Sequence, residues 1–237
     1  LSGASARAWT VIVPLFGPEP EQRPAWQSPA LVSAIALDTI EAVASAASVG
    51  RIVLVTDAAA HRRLGTLSEH AAAVSQVLLT TPLARSGAIE LARRHIHRTW
   101  GSCSVAVMPA AVPFLRPAEL DAALAEAARY PRAVLAAADE RGPALLTARE
   151  HSLLPNGEPD SYRGHLALGF TELTRAGSRS LQRDVGTLDR LAAAVAAEAA
   201  ELADEPGGVA PAPRTRAVLR TLASAGVAPM SGWRALG

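Results

Sequence analysis

Lysine is missing from this sequence, so its positive side chains are arginines and the loop after the first apolar run holds a single cation, Arg23. No G-x-x-x-x-G-K-[ST] loop occurs, and no G-x-G-x-x-G follows the first apolar run. Those absences argue against a kinase or NTPase and against an ordinary dinucleotide dehydrogenase, so any phosphate must be bound by other geometry. Cysteine occurs once, at Cys103, which leaves no internal disulfide and no sign of an oxidising compartment; the expected location is cytoplasmic. Aromatics make up 4% of a chain that is 49% hydrophobic, which predicts a core of alanine and branched aliphatics rather than rings. No apolar run approaches the ~20 residues of a membrane-crossing helix, because Arg, Asp, Pro or Gly interrupts each stretch, and no membrane partner is expected. Neither sign of charge dominates: 23 basic against 22 acidic side chains leave +1, and counterion release gives little drive toward nucleic acid.

What is present is an alternation of short β-branched runs with longer stretches of helical periodicity, the pattern of βαβ units in a doubly wound, largely parallel sheet. Strands are expected at residues 10–15, 51–56, 76–80 and 104–108, each apolar along most of its length as strands covered on both faces are. A strand pair follows at 132–137 and 144–147, and a further strand is expected at 181–185. Helices are predicted after residue 29, with Val32, Ile35, Ile40 and Val43 on one stripe and Gly50 ending it, and over 86–98, 117–129 and 162–168. Thr187 is a good N-cap for another helix, carrying Leu188, Leu191, Val195 and Leu202 at core spacing. A last helix runs from about Arg214 to Gly226. The expected organisation is a disordered lead-in over residues 1–8, without the apolar segment of a secretion signal, one domain over 9–226 and a tail over 227–237.

In open α/β sheets the ligand lies beyond the carboxyl ends of the strands, which directs attention to residues 14–29, 56–59, 109–113, 139–143 and 184–187. Asp184, beside Arg183, has two readings. It can bind a divalent cation, for which Asp139 and Asp57 are the placed second acids, or it can simply sit near a helix N-terminus and be stabilised by the dipole. Ser161 and His165 stand four apart and share a face if their segment is helical. With the amides of residues 157–161 they could hold a phosphate or carboxylate, or Ser161 could be only a cap. No G-x-S-x-G surrounds the serine. His95 and His97, two apart on a helix, point in divergent directions and cannot share an ion; Arg93, Arg94 and Arg98 read as a solvated face, and Cys103 as a structural thiol.

Taken in order, these segments resemble the CofC/FbiD family, guanylyltransferases that activate 2-phospholactate or phosphoenolpyruvate with GTP on the way to the deazaflavin coenzyme. The resemblance rests on Val11, Ile12, Val13 and Pro14, on residues 30–57 and 137–148, and most specifically on residues 159–169, 181–187 and 213–219. It implies a Rossmann-like, three-layer nucleotidyltransferase fold of the GT-A type with a mixed sheet. Val13, Pro14 and Asp139 would then contact the nucleotide, Ser161 and His165 the phosphorylated acid, and Asp184 a catalytic magnesium ion. The family pattern is also depleted here. The aspartate of its Q-G-D-x-P loop falls on Ala111, the second aspartate of R-D-V-D-T on Gly186, the lysine after the first strand near Phe16, and the asparagine of the third helix near Gly87. Its A-K-x-R-L element has no counterpart in residues 19–26, and Glu158 takes the place of a glycine ahead of Ser161. Guanylyl transfer needs cations against the triphosphate. Losing one metal carboxylate and the lysine predicts a rate lower by several orders of magnitude. Two functions follow: a divergent guanylyltransferase, or a non-catalytic homologue serving as a binding or scaffolding subunit, as a homo-oligomer or with a partner protein.

Overall fold

The fold was obtained as a computed structural model, which describes residues 9–16, 28–63, 74–80, 85–149, 161–204 and 210–224. The expected lead-in, the loop with Arg23 and the missing A-K-x-R-L element, the amides of 157–160, Gly226 and the tail lie outside these residues.

Strands β1 (Trp9–Leu15), β2 (Val49–Asp57), β3 (Gln76–Thr80), β4 (Ser104–Val107), β5 (Arg132–Ala136), β6 (Pro143–Arg149) and β7 (Thr171–Glu172) form one sheet in the order β3-β2-β1-β4-β6-β5-β7. Pairing is parallel except where β6 meets β4 and β5. Six strand ends and the β5–β6 turn therefore open on the same edge. The helices are α1 (Pro29–Ser45), α2 (Ala58–Arg63), α3 (Arg85–Trp100), α4 (Pro117–Ala127), α5 (Ser161–Ala167), α6 (Arg179–Gln182), α7 (Leu188–Asp204) and α8 (Pro213–Ser224).

Period-two alternation divides β1 between two cores. Val11, Val13 and Leu15 face Ile40 and Val43 of α1 and Leu120 and Leu124 of α4. Ile12 faces the other way, with Val53 and Val55, onto Ala88, Ile89, Ala92 and Ile96 of α3 and Tyr162 of α5. A third cluster joins Leu31 and Ile35 of α1 to Leu191 and Val195 of α7 and Leu219 of α8, around Phe114 and Val185. Buried Asp38 of α1 fixes this outer layer, because its carboxylate accepts the Thr215 amide at 2.7 Å and a guanidinium bond from Arg214 at 3.1 Å. Helix α1 starts where Ser28 Oγ accepts the Leu31 amide at 3.2 Å, with Pro29 in the first turn, where its missing N–H costs nothing.

Three expectations are corrected. The strand at 181–185 does not exist: α6 occupies residues 179–182, and Asp184 follows it in a turn. The place beside β5 is taken by β7, and the 181–185 backbone makes single bonds to two different segments, Ala138 N to Gln182 O and Val185 N to Ala111 O, rather than a ladder. Strand β3 is not covered on both faces, since it closes one edge of the sheet and leaves Leu79 exposed. Gly50 does not end α1, which stops at Ser45; Gly50 belongs to β2. The turn between them is held by Asp121, which accepts the Ala47 and Ser48 amides at 2.9 and 2.7 Å.

Candidate active site at the strand tips

The β5–β6 turn and the α6–α7 turn meet above the ends of β4 and β5. Ala137 N donates to Gly142 O at 2.8 Å and Arg141 N to Asp139 Oδ1 at 3.1 Å, which fixes the first turn. The second is tied down by Val185 N on Ala111 O at 2.8 Å and by Ala138 N on Gln182 O at 3.2 Å. Beneath it, Glu119 of α4 accepts both the amide and the hydroxyl of Ser180, at 2.7 and 2.8 Å. Between the turns lies a cavity of about 260 Å³ lined by Asp139, Gln182, Arg183, Asp184, Arg190 and the alanines of the β5 end and of α7.

Asp139 and Asp184 converge on this cavity, joined by a residue that spacing and motif did not single out. Arg190 donates from Nη1 to Asp184 Oδ2 at 3.1 Å and from Nη2 to Asp139 Oδ2. Asp184 Oδ1 accepts the Gly186 amide at 2.5 Å. The four carboxylate oxygens thus each hold an N–H. Side-chain exposures of 37%, 32% and 25% for Arg190, Asp139 and Asp184 keep the cluster in contact with water. The signal for Arg190 was its position. Thr187 Oγ1 caps α7 by accepting the Arg190 amide at 3.3 Å, which puts a cation in the first turn, where the helix dipole disfavours it.

Arg183, next to Asp184 in the chain, pairs with a different acid. It donates to Glu201, which also accepts from Arg116 at 2.8 Å, and Arg116 reaches Glu198 at 3.5 Å. The Arg183 hydrogen bond holds the Glu201 carboxyl down to about 2, whereas burial pushes Glu198, 0% exposed, upward. Asp57 stands apart at the end of β2, where its Oδ1 caps α2 by accepting the Ala60 amide at 2.7 Å. Among the described residues, no group of three or more His, Cys, Asp or Glu could hold a metal ion.

Val13 and Pro14 lie in β1 opposite Leu54 and Val55, with Val13 fully buried. Ala111 sits beside the Asp184 turn through its bond to Val185. Ser161 opens α5, and His165 Nδ1–H donates to its carbonyl at 2.5 Å. The imidazole is buried, edge-on to Phe170 at 5.1 Å, and burial lowers its basicity toward the neutral form. On α3, Arg93 and Arg94 both bind Glu90, at 2.7 and 2.8 Å; His95 contacts Trp100 edge-on and His97 is exposed. Cys103 lies 3.8 Å from the Thr10 hydroxyl. No helix among the described residues is long and apolar enough to cross a membrane.

Solved structures share the fold. A nucleotide-diphospho-sugar transferase-like protein from Desulfovibrio desulfuricans superposes with a TM-score of 0.55 at 15% identity, over 96% of this chain and 93% of its own. A 4-diphosphocytidyl-2C-methyl-D-erythritol synthase does so with 0.54 at 14%, over 80% and 97%. No protein-family model matches the chain. Sequence relatives are nearer: a phosphoenolpyruvate guanylyltransferase of Frankia casuarinae is 36% identical over 214 residues, covering 79% of this chain and 72% of the relative. One of Streptomyces avermitilis is 35% identical, covering 79% and 88%. With its nucleotidyltransferase-like fold and relatives of this closeness, the chain belongs to the phosphoenolpyruvate guanylyltransferase family.

Proposed function

We propose that this member is a non-catalytic homologue, a binding or scaffolding subunit that keeps the fold and weak affinity for a guanosine nucleotide and a small phosphorylated acid. In guanylyl transfer an acceptor phosphate oxygen bonds the α-phosphorus of GTP while the bond to pyrophosphate breaks, and pyrophosphate leaves with the electron pair. That step needs surplus positive charge along the triphosphate. Here Arg190 is neutralised by Asp139 and Asp184, and Arg183 by Glu201, so these residues offer the phosphates none. Magnesium, the ion expected of an active member, takes near-octahedral oxygen ligands, usually one or two carboxylates together with waters and phosphate oxygens. The Arg190 guanidinium bridges Asp139 and Asp184 and sets its positive charge between the two carboxylates, so the residues as placed do not fit the ion. The observation that carries the reading is Arg190 lying between the two acids.

On this reading Asp139 borders the nucleotide with buried Val13 and Pro14 of β1 supporting it from beneath, Ser161 borders the acceptor with buried His165 holding its carbonyl, and Asp184 is a metal ligand in origin only. A scaffold calls for a partner, another copy of the chain or a different protein, in the cytoplasm. The second reading is an active guanylyltransferase joining GMP from GTP to phosphoenolpyruvate or 2-phospholactate in deazaflavin coenzyme biosynthesis. It is favoured by the retention of Asp139, Ser161, His165 and Asp184 together. Incubation with GTP, magnesium and either acid, following pyrophosphate, separates the two. We expect release at the level of a protein-free control; release above it that Asp184→Ala abolishes would establish the enzyme. Nucleotide binding is read by thermal shift, since a ligand at 100 times its Kd stabilises by ~2.7 kcal/mol.

A further inference from the structure

Arg190 occupies an unfavourable place for a cation, the first turn of α7, and is held there by two acids that topology brings together from the β5–β6 turn and the α6–α7 turn. Each acid is fixed by a second bond that leaves it little freedom to turn away: Asp184 by the Gly186 amide at 2.5 Å, Asp139 by the Arg141 amide at 3.1 Å. Ala193, Ala194 and Ala197 of α7 line the same cavity and offer no competing charge or hydrogen bond. The guanidinium suits the position. It is planar, always charged, and carries several donors, so a single side chain can bridge two carboxylates that a point charge would satisfy less well. Two acids facing one cavity without it would repel each other, and a divalent cation is the solute that relieves such repulsion best.

We infer that Arg190 is the resident cation of this site, standing where a divalent ion would otherwise sit, so that the native chain takes up no divalent ion between Asp139 and Asp184. The inference rests on the reading of the strand tips as the family's reaction site, but not on whether a nucleotide binds there. It makes Arg190 the residue that decides the site's metal requirement, and it predicts that replacing this one side chain uncovers a cation site.

The experiment is a titration of Mn²⁺ into the nucleotide-free protein, with free Mn²⁺ read by electron paramagnetic resonance. Arg190→Gln should bind one Mn²⁺ at least tenfold more tightly than the native chain, about 1.4 kcal/mol. Adding Asp184→Asn to Arg190→Gln should remove that binding, and Arg190→Lys, which keeps the charge, should stay near native. Arg190→Met retains the apolar stem and serves if the glutamine variant fails to fold, as judged by circular dichroism. Equal Mn²⁺ affinity in native protein and folded variant, whether tight in both or absent in both, overturns the inference. Pyrophosphate release by the native protein sinks the proposed function without deciding this titration, so the two fail separately.

Discussion

Two ionic clusters meet at neighbouring Arg183 and Asp184 on the α6–α7 turn and are built from the same chemistry, yet only one of them contains a wholly buried acid. Asp139, Arg190 and Asp184 sit at the cavity mouth with 25% to 37% of each side chain exposed. In the inner cluster of Arg116, Glu198, Glu201 and Arg183, Arg116 and Glu201 are about as exposed, at 30% and 31%, but Glu198 is wholly buried and its Oε1 lacks a hydrogen-bond partner. The inner cluster clamps α6, α7 and the start of α4 together, and its charges cannot be uncovered without loss. The outer cluster is screened by water and can be rearranged by a single substitution. The difference teaches that one buried carboxylate, Glu198, is what makes the inner cluster structural, while the outer, with every member in contact with water, is free to govern ligand chemistry.

The comparison breaks most visibly at Arg116. Arg116→Ala leaves buried Glu198 short of its nearest cation and should cost roughly 2–4 kcal/mol, a fall in Tm of roughly 5–15 °C for a chain of this size. A fall no larger than that from Arg190→Gln would contradict the division by burial.

Acid sharpens the same contrast. Glu201 has a folded pKa near 2, well below its unfolded value, so its stabilisation is present above roughly pH 4.5 and is lost as pH falls toward 2. Glu198 has the opposite sign: its pKa is raised, so its ionised form weakens the fold at neutral pH and protonation relieves this. Glu90 and Asp121, also lowered, add to the acid loss, so the comparison is between variants. Glu201→Gln should lose less stability than native protein between pH 5 and 2 in equilibrium unfolding, and parallel curves would remove Glu201 from the account.

Smaller effects are expected at the mouth. A Cβ at position 186 would lie 2.8 Å from Asp184 Oδ1, so Gly186→Ala forces the carboxylate off the 186 amide and should cost about 1 kcal/mol by thermal unfolding. An unchanged Tm would mean that this bond is not holding the turn. Least of all, Arg190→Gln should change stability by no more than ~1 kcal/mol, although it alters cation uptake; a larger loss would make Arg190 structural.

Much of the frame was legible because β1, β2 and β4 are apolar runs between turn signals, and because Thr187 precedes leucines at helical spacing. The 181–185 segment misled because Leu181 and Val185 are both buried, which suits a strand as well as a helical turn; what excludes the strand is β7 beside β5, a tertiary fact. Asp139 and Asp184 were legible as candidates, since both follow the expected strand tips, but their meeting depends on two turns far apart in the chain. Arg190 was not legible, because an arginine on an amphipathic helix reads as a solvated one. Only its place in the first turn marks it out.

The most direct measurement is anomalous diffraction from crystals grown with GTP and Mn²⁺. The account predicts that the Arg190 guanidinium keeps its bonds to Asp139 and Asp184 and that no manganese peak lies beside either carboxylate. A manganese ion coordinated by Asp184, with Arg190 turned away, would contradict it.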